Sequence, residues 1–349
     1  MKKICAIITV LAMALALFLT GCQSASSQSS ASAAPTQSAS AAPSAASDYP
    51  KKPIQIVVPF SAGGGTDLFA RIVAGKMSEI LKVAVEVVNM PGGSATIGTT
   101  DVANSSPDGY KLGFSISTPL AMTPNLGETS YTLDNLQPIC NAYTTVHTIC
   151  VAADSPIKTV DDLIAYIDSK DGKVSFAGSG TGNMQHLCLE EWVNQLGKDW
   201  DLTVVPYDGD NDEVVALLSG EAPFATVQAH GVKSYIESGQ IRCLMAFGDT
   251  TPKWMVDGGY NVPNTVELGY TSAIQGPVGF YGPKGISEDV IKAVSAAVEE
   301  ALKDEKVLES ISNLGLEPDF RTTEDYTTAL QNLVPASKDL MLQLGFIKK

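Results

Sequence analysis

One stretch, residues 54–67, constrains the fold more than any other part of the sequence. It reads IQIVVPFSAGGGTD, an apolar run typical of a buried strand, followed by a proline and a glycine-rich turn. Apolar residues then recur at helical spacing over residues 68–81, with Thr66 or Asp67 placed to cap the first turn. The glycines either only shape a tight turn or expose the N–H groups of a helix N-terminus, which can bind an anion.

The same pattern occurs again much later in the chain. Residues 173–177 predict a strand, residues 178–183 read GSGTGN, and a helix follows from Met184. Strands and helices alternate through most of the sequence, which favours an α/β fold with parallel strands. A predicted strand at residues 278–281 followed by helices indicates that the chain returns to the first of two α/β lobes, with a cleft between the lobes that both glycine turns line.

The candidate ligand contacts lie in loops that follow predicted strands, because α/β sheets place ligands at the carboxyl ends of strands. Asp67 is more often a helix cap than a contact, and both His186 and Tyr207 could equally be packing residues. His230, beside Gln228, could also border the cleft. The predicted contacts are Phe60, Ser61, Ala62, Gly63, Gly64, Thr66, Asp67, Ser117 and Thr118 in the first lobe, and Ser179, Gly180, Thr181, Gly182, Asn183, His186, Tyr207 and Gln228 in the second.

Charge and motifs exclude several classes of protein. The 349-residue chain has a formal net charge of −15 and no basic stripe, which argues against binding nucleic acid. A P-loop and a G-x-S-x-G elbow are absent, and the third glycine of the GSGTGN turn comes one position early for a dinucleotide fingerprint. The three histidines lack metal-ligand spacing. We therefore expect no enzyme activity, no cofactor and no metal.

Four cysteines follow the N-terminal region, and none belongs to a C-x-x-C pair. Cys140 and Cys150 flank a predicted hairpin centred near Thr145. The sequence leaves open whether they form a disulfide across it or are buried free thiols.

The N-terminus predicts export. Two lysines and an apolar run precede the sequence LTGC at residues 19–22, and an uncharged stretch rich in Ser and Ala follows to residue 47. The alternative, a membrane-spanning anchor, lacks a positive flank after the apolar run. The LTGC run resembles a bacterial lipobox. That resemblance implies a signal peptide over residues 1–21, a lipidated Cys22, and a flexible tether over residues 22–47.

From Tyr49 to the C-terminus the sequence resembles the receptors of tripartite tricarboxylate transporters, also called the Bug family. Each motif is weak alone, but their order along the chain is specific. The motifs are residues 53–67 (PIQIVVPFSAGGGTD), 89–98 (NMPGGSATIG), 107–110 (PDGY), 176–187 (FAGSGTGNMQHL), 205–207 (VPY) and the return segment 279–285 (GFYGPKG).

The resemblance implies a two-lobed periplasmic-binding fold of type II, a Venus flytrap with the ligand cleft between its lobes. We expect lobe 1 over residues 48–149 and 276–349, and lobe 2 over residues 150–275. It further implies a monomeric, membrane-anchored extracytoplasmic receptor that delivers a di- or tricarboxylate to a permease with large and small membrane subunits. Backbone amides would hold the carboxylates with few salt bridges. A ligand sensor, or an extracellular enzyme on the same scaffold, is the alternative.

The sequence departs from the family pattern at two places. Pro223-Phe224 and Val227-Gln228 stand where relatives often have acidic and amide residues, and Pro277-Val278 replaces a common Trp-Tyr. The ligand could therefore be smaller, more apolar, or a monocarboxylate.

Overall fold

The computed structural model describes residues 49–127, 129–207, 209–272, 274 and 276–348. The predicted signal peptide, the tether and Cys22 lie outside these residues. None of the helices in this part of the chain has the length and apolar character needed to span a bilayer.

Eleven strands are present in the described residues. They are β1 (Ile54–Val58), β2 (Val85–Asn89), β3 (Lys111–Ile116), β4 (Leu136–Thr145), β5 (His147–Ala152), β6 (Lys173–Gly178), β7 (Asp201–Pro206), β8 (Ala225–Gln228), β9 (Ile241–Ala246), β10 (Gly276–Pro283) and β11 (Pro318–Arg321).

Ten α-helices are present in the same part of the chain. They are α1 (Gly65–Leu81), α2 (Thr96–Ala103), α3 (Val160–Asp168), α4 (Met184–Leu196), α5 (Asp210–Leu218), α6 (Lys233–Glu237), α7 (Lys253–Asp257), α8 (Glu288–Ala301), α9 (Glu305–Asn313) and α10 (Thr323–Gln343).

Two mixed sheets organise the fold, one in each lobe. The first has six strands in the order β11-β4-β10-β3-β1-β2, and the second has five in the order β7-β6-β8-β5-β9. β1 runs parallel to β2 and β3, and β6 runs parallel to β7 and β8. The carboxyl ends of parallel strands meet at one edge of each sheet, so both glycine turns begin at such an edge.

The chain changes sheets at Val146. β4 pairs with β10 and β11 in the first sheet, whereas β5 pairs with β8 and β9 in the second. The predicted lobe boundary after residue 149 therefore falls inside β5. The return to the first sheet is complete at Gly276, where β10 begins.

The C-terminal helix packs across both lobes. α10 contacts β4 of the first sheet and α4 of the second lobe. One core cluster contains Val57 from β1, Trp192 from α4 and Met341 from α10. Apolar burial therefore connects the lobes through this helix as well as through the strand crossings.

Local signals predicted helix ends unevenly. The capping box of Thr159 and Asp162 at α3 is present, as the sequence predicts. At α5, Asp210 with Glu213 three residues later predicts an N-cap at Asp210, but the helix begins at Asp210 after an N-cap at Gly209, so this prediction is wrong. The sequence predicts no strand at β11, and it indicates an irregular segment over residues 250–276, where the structure has the short helix α7.

The expected hairpin between β4 and β5 does not form, because the two strands belong to different sheets. Cys140 pairs with Phe280 of β10, while Cys150 lies opposite Cys243 of β9. All four cysteines in the described residues are free and buried. The structure therefore supports the free-thiol alternative for Cys140 and Cys150.

These pairings predict which disulfide an oxidant can form. Cys150 and Cys243 are register partners on antiparallel strands, a spacing that a disulfide can bridge, whereas Cys140 lies in the other sheet. A non-reducing peptide map after mild oxidation should show the Cys150–Cys243 linkage and none between Cys140 and Cys150. A Cys150→Ala variant, which should lose the linkage, is the control.

Candidate ligand-binding site

A buried carboxylate holds the first glycine turn in shape. Asp67 is only 1% exposed, and its Oδ2 accepts the N–H of Gly63 at 2.8 Å. Asn89 Nδ2 donates to its Oδ1 at 2.8 Å, and Arg71 Nη2 lies 3.0 Å from the same oxygen. Burial raises the pKa of Asp67, but hydrogen bonds from Arg71, Gly63 and Asn89 outweigh this effect and hold the pKa below its usual value.

This network changes the role expected for two predicted residues. Asp67 fastens the turn with both oxygens, and the amide of Gly63 is already used inside the turn. The N-cap of α1 is Gly64, with no side-chain cap, so neither Thr66 nor Asp67 caps the helix. The N–H groups of Gly65 and Thr66 lie in the first turn of α1, where a helix offers no acceptor of its own.

The rest of the first loop is open to solvent. Ser61, Ala62, Gly63 and Gly64 are exposed, while Phe60 is half-buried and its carbonyl accepts a hydrogen bond from Asn89. Because Gly63 adopts a φ of +87°, a left-handed value, this turn requires glycine there.

Two hydroxyl residues follow β3, the strand beside β1. Ser117 is fully buried, and its Oγ has no hydrogen-bond partner within the described residues. Thr118 is half-buried and begins a single π-helical turn, Thr118–Met122. Both residues lie at the same sheet edge as the first glycine turn, as the sequence predicts.

Side chains of α4 hold the second glycine turn. Gln185 Oε1 accepts the N–H of Ser179 at 2.9 Å, and Asn183 Nδ2 donates to Ser179 Oγ at 2.8 Å. Asn183 is also the N-cap of α4, because its Oδ1 accepts the N–H of His186. Gly180 and Thr181 form the part of the turn for which no such internal bond is present in the described chain.

His186 fastens this turn rather than facing a ligand. Its Nδ1 accepts the N–H of Gly182 at 3.0 Å, and its Nε2 lies 3.4 Å from a carboxylate oxygen of Glu190. Only 5% of His186 is exposed, and the ring of Phe346 covers it at a centroid distance of 5.3 Å. The packing alternative is therefore the one that the structure supports.

A polar chain links the second turn to two neighbouring loops. Gln185 Nε2 lies 3.5 Å from Asp210 Oδ1, which also accepts the N–H of Gln228 at 3.1 Å. The three loops that follow β6, β7 and β8 are thereby connected at one sheet edge, and we call them the loop cluster. Glu213, one turn further along α5, is fully buried, and burial and the nearby Asp210 raise its pKa to about 9. Burial therefore favours the protonated, uncharged form of this side chain.

Tyr207 follows β7, and its backbone N–H donates to the carbonyl of Gly178. Its side chain packs against the small core cluster that includes Leu217 and Val227. Burial and the neighbouring Glu221 carboxylate raise the pKa of Tyr207. Because Glu221 follows the C-terminal end of α5, the Tyr207 hydroxyl lies away from Asp210 and the loop cluster.

The two lobes meet at His230, directly after β8. A Cβ built on Gly65 would lie 2.6 Å from His230 Nε2, so the imidazole sits against the N-terminus of α1. This contact brings the first glycine turn to the loop that carries Gln228. The predicted cleft thus has α1 on one side and the connected loops of the second lobe on the other.

Sequence reasoning missed several residues that build this site. Gln185, Asp210 and Phe346 were not named as site residues, although the first two follow glycine turns at strand ends. Asn89 is the first residue of the NMPGGSATIG motif, and the sequence alone gives no role for its side chain. Phe346 is far along the chain from the turn it covers, so no local pattern indicates it.

Comparison with known proteins decides the family. A model described as the tripartite tricarboxylate transporter family receptor matches residues 69–346. The chain belongs to this family. The resemblance seen in the sequence is therefore confirmed.

Individual family members agree with this result. The protein BugT of Bordetella pertussis is 31% identical over 287 residues, covering 81% of this chain and 86% of its own. The structure of the periplasmic binding protein BugD matches at a TM-score of 0.70 and 27% identity, covering 86% of this chain and 100% of BugD. The predicted two-lobed periplasmic-binding fold is confirmed by these likenesses.

A more distant structure shows only the fold. MatC of Rhodopseudomonas palustris, solved with bound malate, is 22% identical, with a TM-score of 0.70 and coverage of 84% of this chain and 99% of its own.

The buried Asp67 network predicts a pH-dependent loss of stability in an Asp67→Asn variant. At pH 7 we expect a lower free energy of unfolding by about 1–3 kcal/mol, because hydrogen bonds to a charged group are lost. The folded pKa is lowered, so the contribution of Asp67 is present above its unfolded pKa and disappears as the pH falls through the folded one.

Urea unfolding at pH 7 and at pH 3 measures this difference. Asp101→Asn is the matched control, since Asp101 pairs with Lys111 at 2.8 Å on the half-exposed surface and should cost less than about 1 kcal/mol. Equal effects of the two substitutions at pH 7 would contradict the role assigned to Asp67.

Proposed function

We propose that this protein is an extracytoplasmic receptor that captures a small organic carboxylate, of the di- or tricarboxylate class, and delivers it to a tripartite tricarboxylate-type permease. Lipidation of Cys22 would anchor it to the membrane, and residues 22–47 would act as the tether. The large and small membrane subunits of the permease would be its partners. The family and the geometry of the loop cluster support this proposal.

The observation that carries the proposal is the position of the α1 N-terminus. Gly65, the first residue of α1, lies against His230 of the second lobe, and the N–H groups of Gly65 and Thr66 belong to this first turn. A helix N-terminus carries a partial positive charge and unsatisfied donors, so it favours a carboxylate without a cationic side chain. The loop at Gly180, which is half-buried, and Thr181, which is exposed, offers further amides at the second turn.

Nearby charges are arranged so that they do not oppose an anion. Arg71 is paired with Asp67, which leaves this ion pair neutral. Burial favours the protonated form of Glu213 and also raises the pKa of Asp210. Local dipoles therefore decide which ligand charge the site prefers, although the whole chain has a formal net charge of −15.

The contact between His230 and Gly65 also indicates how capture couples to closure. A ligand that touches both the first glycine turn and the connected loops of the second lobe binds the closed form of the protein better than the open form. Such a ligand therefore shifts the population toward the closed form. A closed receptor can then be distinguished from an empty one by its permease.

Calorimetry with matched probes tests the chemistry. Succinate should bind the purified protein with a Kd of about 1–10 μM, whereas succinamide, which has the same skeleton without charge, should bind at least about 100-fold more weakly. Equal affinities would contradict an anion site. A structure of the complex in which an Arg or Lys side chain, away from these loops, binds the carboxylate would also contradict the proposed site.

Gly65→Ala tests whether the α1 N-terminus must approach His230. The added methyl group would occupy the space of the imidazole, so succinate affinity should fall about 10-fold or more, which corresponds to at least about 1.4 kcal/mol. Gly75→Ala, in the same helix, is the control because a Cβ there meets no atom within 4 Å. It should leave affinity unchanged.

A His230→Ala substitution added to Gly65→Ala removes the clash and should restore much of the lost affinity. If the double variant binds no better than Gly65→Ala, the methyl group acts by another route and the closure argument is wrong.

A further inference from the structure

A separate cavity of about 300 Å³ lies where the chain crosses between the two sheets. Its lining includes Thr145, Val146 and His147 from the first crossing, and Ile274 and Gly276 from the second. None of the predicted ligand contacts of the glycine turns lines it. His230 connects this cavity to the candidate carboxylate site, because it lines the cavity and also lies against Gly65 at the N-terminus of α1.

The inner part of this cavity, which we call the crossing cavity, contains an unsatisfied imidazole. His147 is 7% exposed, and its Nδ1 has no hydrogen-bond partner within the described residues. Burial and the neighbouring His230 lower the pKa of His147 to about 3. The imidazole of His147 therefore lines the cavity as a neutral ring, and its Nδ1, which has almost no accessible surface, is a buried polar atom without a partner.

The mouth of the crossing cavity is acidic. Asp249 and Glu317 line it and are exposed, and each has one carboxylate oxygen without a partner in the described chain. Arg321, a cationic lining residue, is neutralised by Asp319 at 2.7 Å. The charged side chains of the lining therefore leave an excess of negative charge.

Between mouth and interior the wall is apolar, with Phe247, Ile274 and Leu316 among the lining residues. No group of three His, Cys, Asp or Glu side chains in the described residues is arranged to hold a metal ion. Exposed carboxylate acceptors, negative charge and apolar walls around a neutral imidazole together suit an organic cation with a short hydrocarbon body.

We propose that the crossing cavity binds a small organic ammonium compound, and that its occupancy changes the affinity of the carboxylate site. Hinge closure moves the crossing segments, so a guest between them has different contacts in the open and closed states. His230 forms the shared wall through which the two sites can be coupled. The binding step stands independently, while the coupling step rests on the proposed carboxylate function.

The histidines make binding measurable. The chain has three, and His186 lies in α4, beside the second glycine turn and outside the cavity lining. In long-range ¹H–¹⁵N NMR spectra of the imidazoles, n-butylammonium should shift the signals of His147 and His230 in a saturable way and leave His186 unchanged. n-Butanol, a neutral probe of the same length, should have at least about 10-fold weaker effect.

An Asp249→Asn, Glu317→Gln double variant should weaken n-butylammonium binding about 10-fold or more, because it removes the negative charge at the mouth. An Asp134→Asn, Glu309→Gln double variant, which removes two charges outside the cavity lining, should bind as the parent does. Equal shifts with butanol, no saturable shift, or equal shifts of all three histidines would overturn the proposed site.

Coupling is measured separately, as the succinate Kd with and without saturating n-butylammonium. We expect a change of about 3-fold or more, and the same factor in the reverse titration, because binding linkage is reciprocal. An unchanged succinate Kd overturns the coupling but leaves the cavity as a binding site. If succinate does not bind at all, the carboxylate proposal fails, while the NMR titration still decides the cavity.

Discussion

The first glycine turn depends on one buried carboxylate. Asp67 gathers a backbone N–H, a guanidinium and an amide around itself, so a flexible glycine-rich segment becomes a fixed platform. Without these bonds the three consecutive glycines would be free to adopt many backbone conformations. A helix N-terminus binds an anion well only if its N–H groups are already in place, since ordering them during binding would reduce affinity. Stability of the turn and recognition at α1 therefore have the same origin.

The second glycine turn is also held in one conformation, but by side chains other than a buried carboxylate. Gln185 and His186, consecutive residues of α4, each bond to a backbone N–H of the preceding loop. Phe346 then covers His186 from the far end of the chain. Because α10 also packs on the first lobe, this cover connects the shape of the second turn to the position of the lobes. One helix thus joins parts of the site that the sequence separates widely.

Local patterns in the sequence predicted the elements well, and for a physical reason. Strand, glycine turn and helix follow from the period of apolar residues and from the backbone freedom of glycine, which act over a few residues. The use of individual amides could not be predicted this way. Whether the N–H of Gly63 or Gly182 faces a ligand depends on where Asp67 and His186 turn their side chains. The pairing of β4 and β5 with different sheets, which separates Cys140 from Cys150, is likewise a long-range property.

Burial decides the charge of this cleft more than composition does. A chain with a net charge of −15 would repel an anion if its acidic groups near the loops were ionised and unpaired. Asp67 is ionised but paired, whereas burial favours the protonated form of Glu213 and raises the pKa of Asp210, so pairing and burial both reduce the negative charge near the loops. The crossing cavity has the opposite arrangement, because Asp249 and Glu317 are exposed and His147 is kept neutral by burial. A site that prefers an anion and a site that prefers a cation can therefore lie on either side of His230. The desolvation of a few side chains, rather than the total charge of the chain, sets the charge that each site prefers.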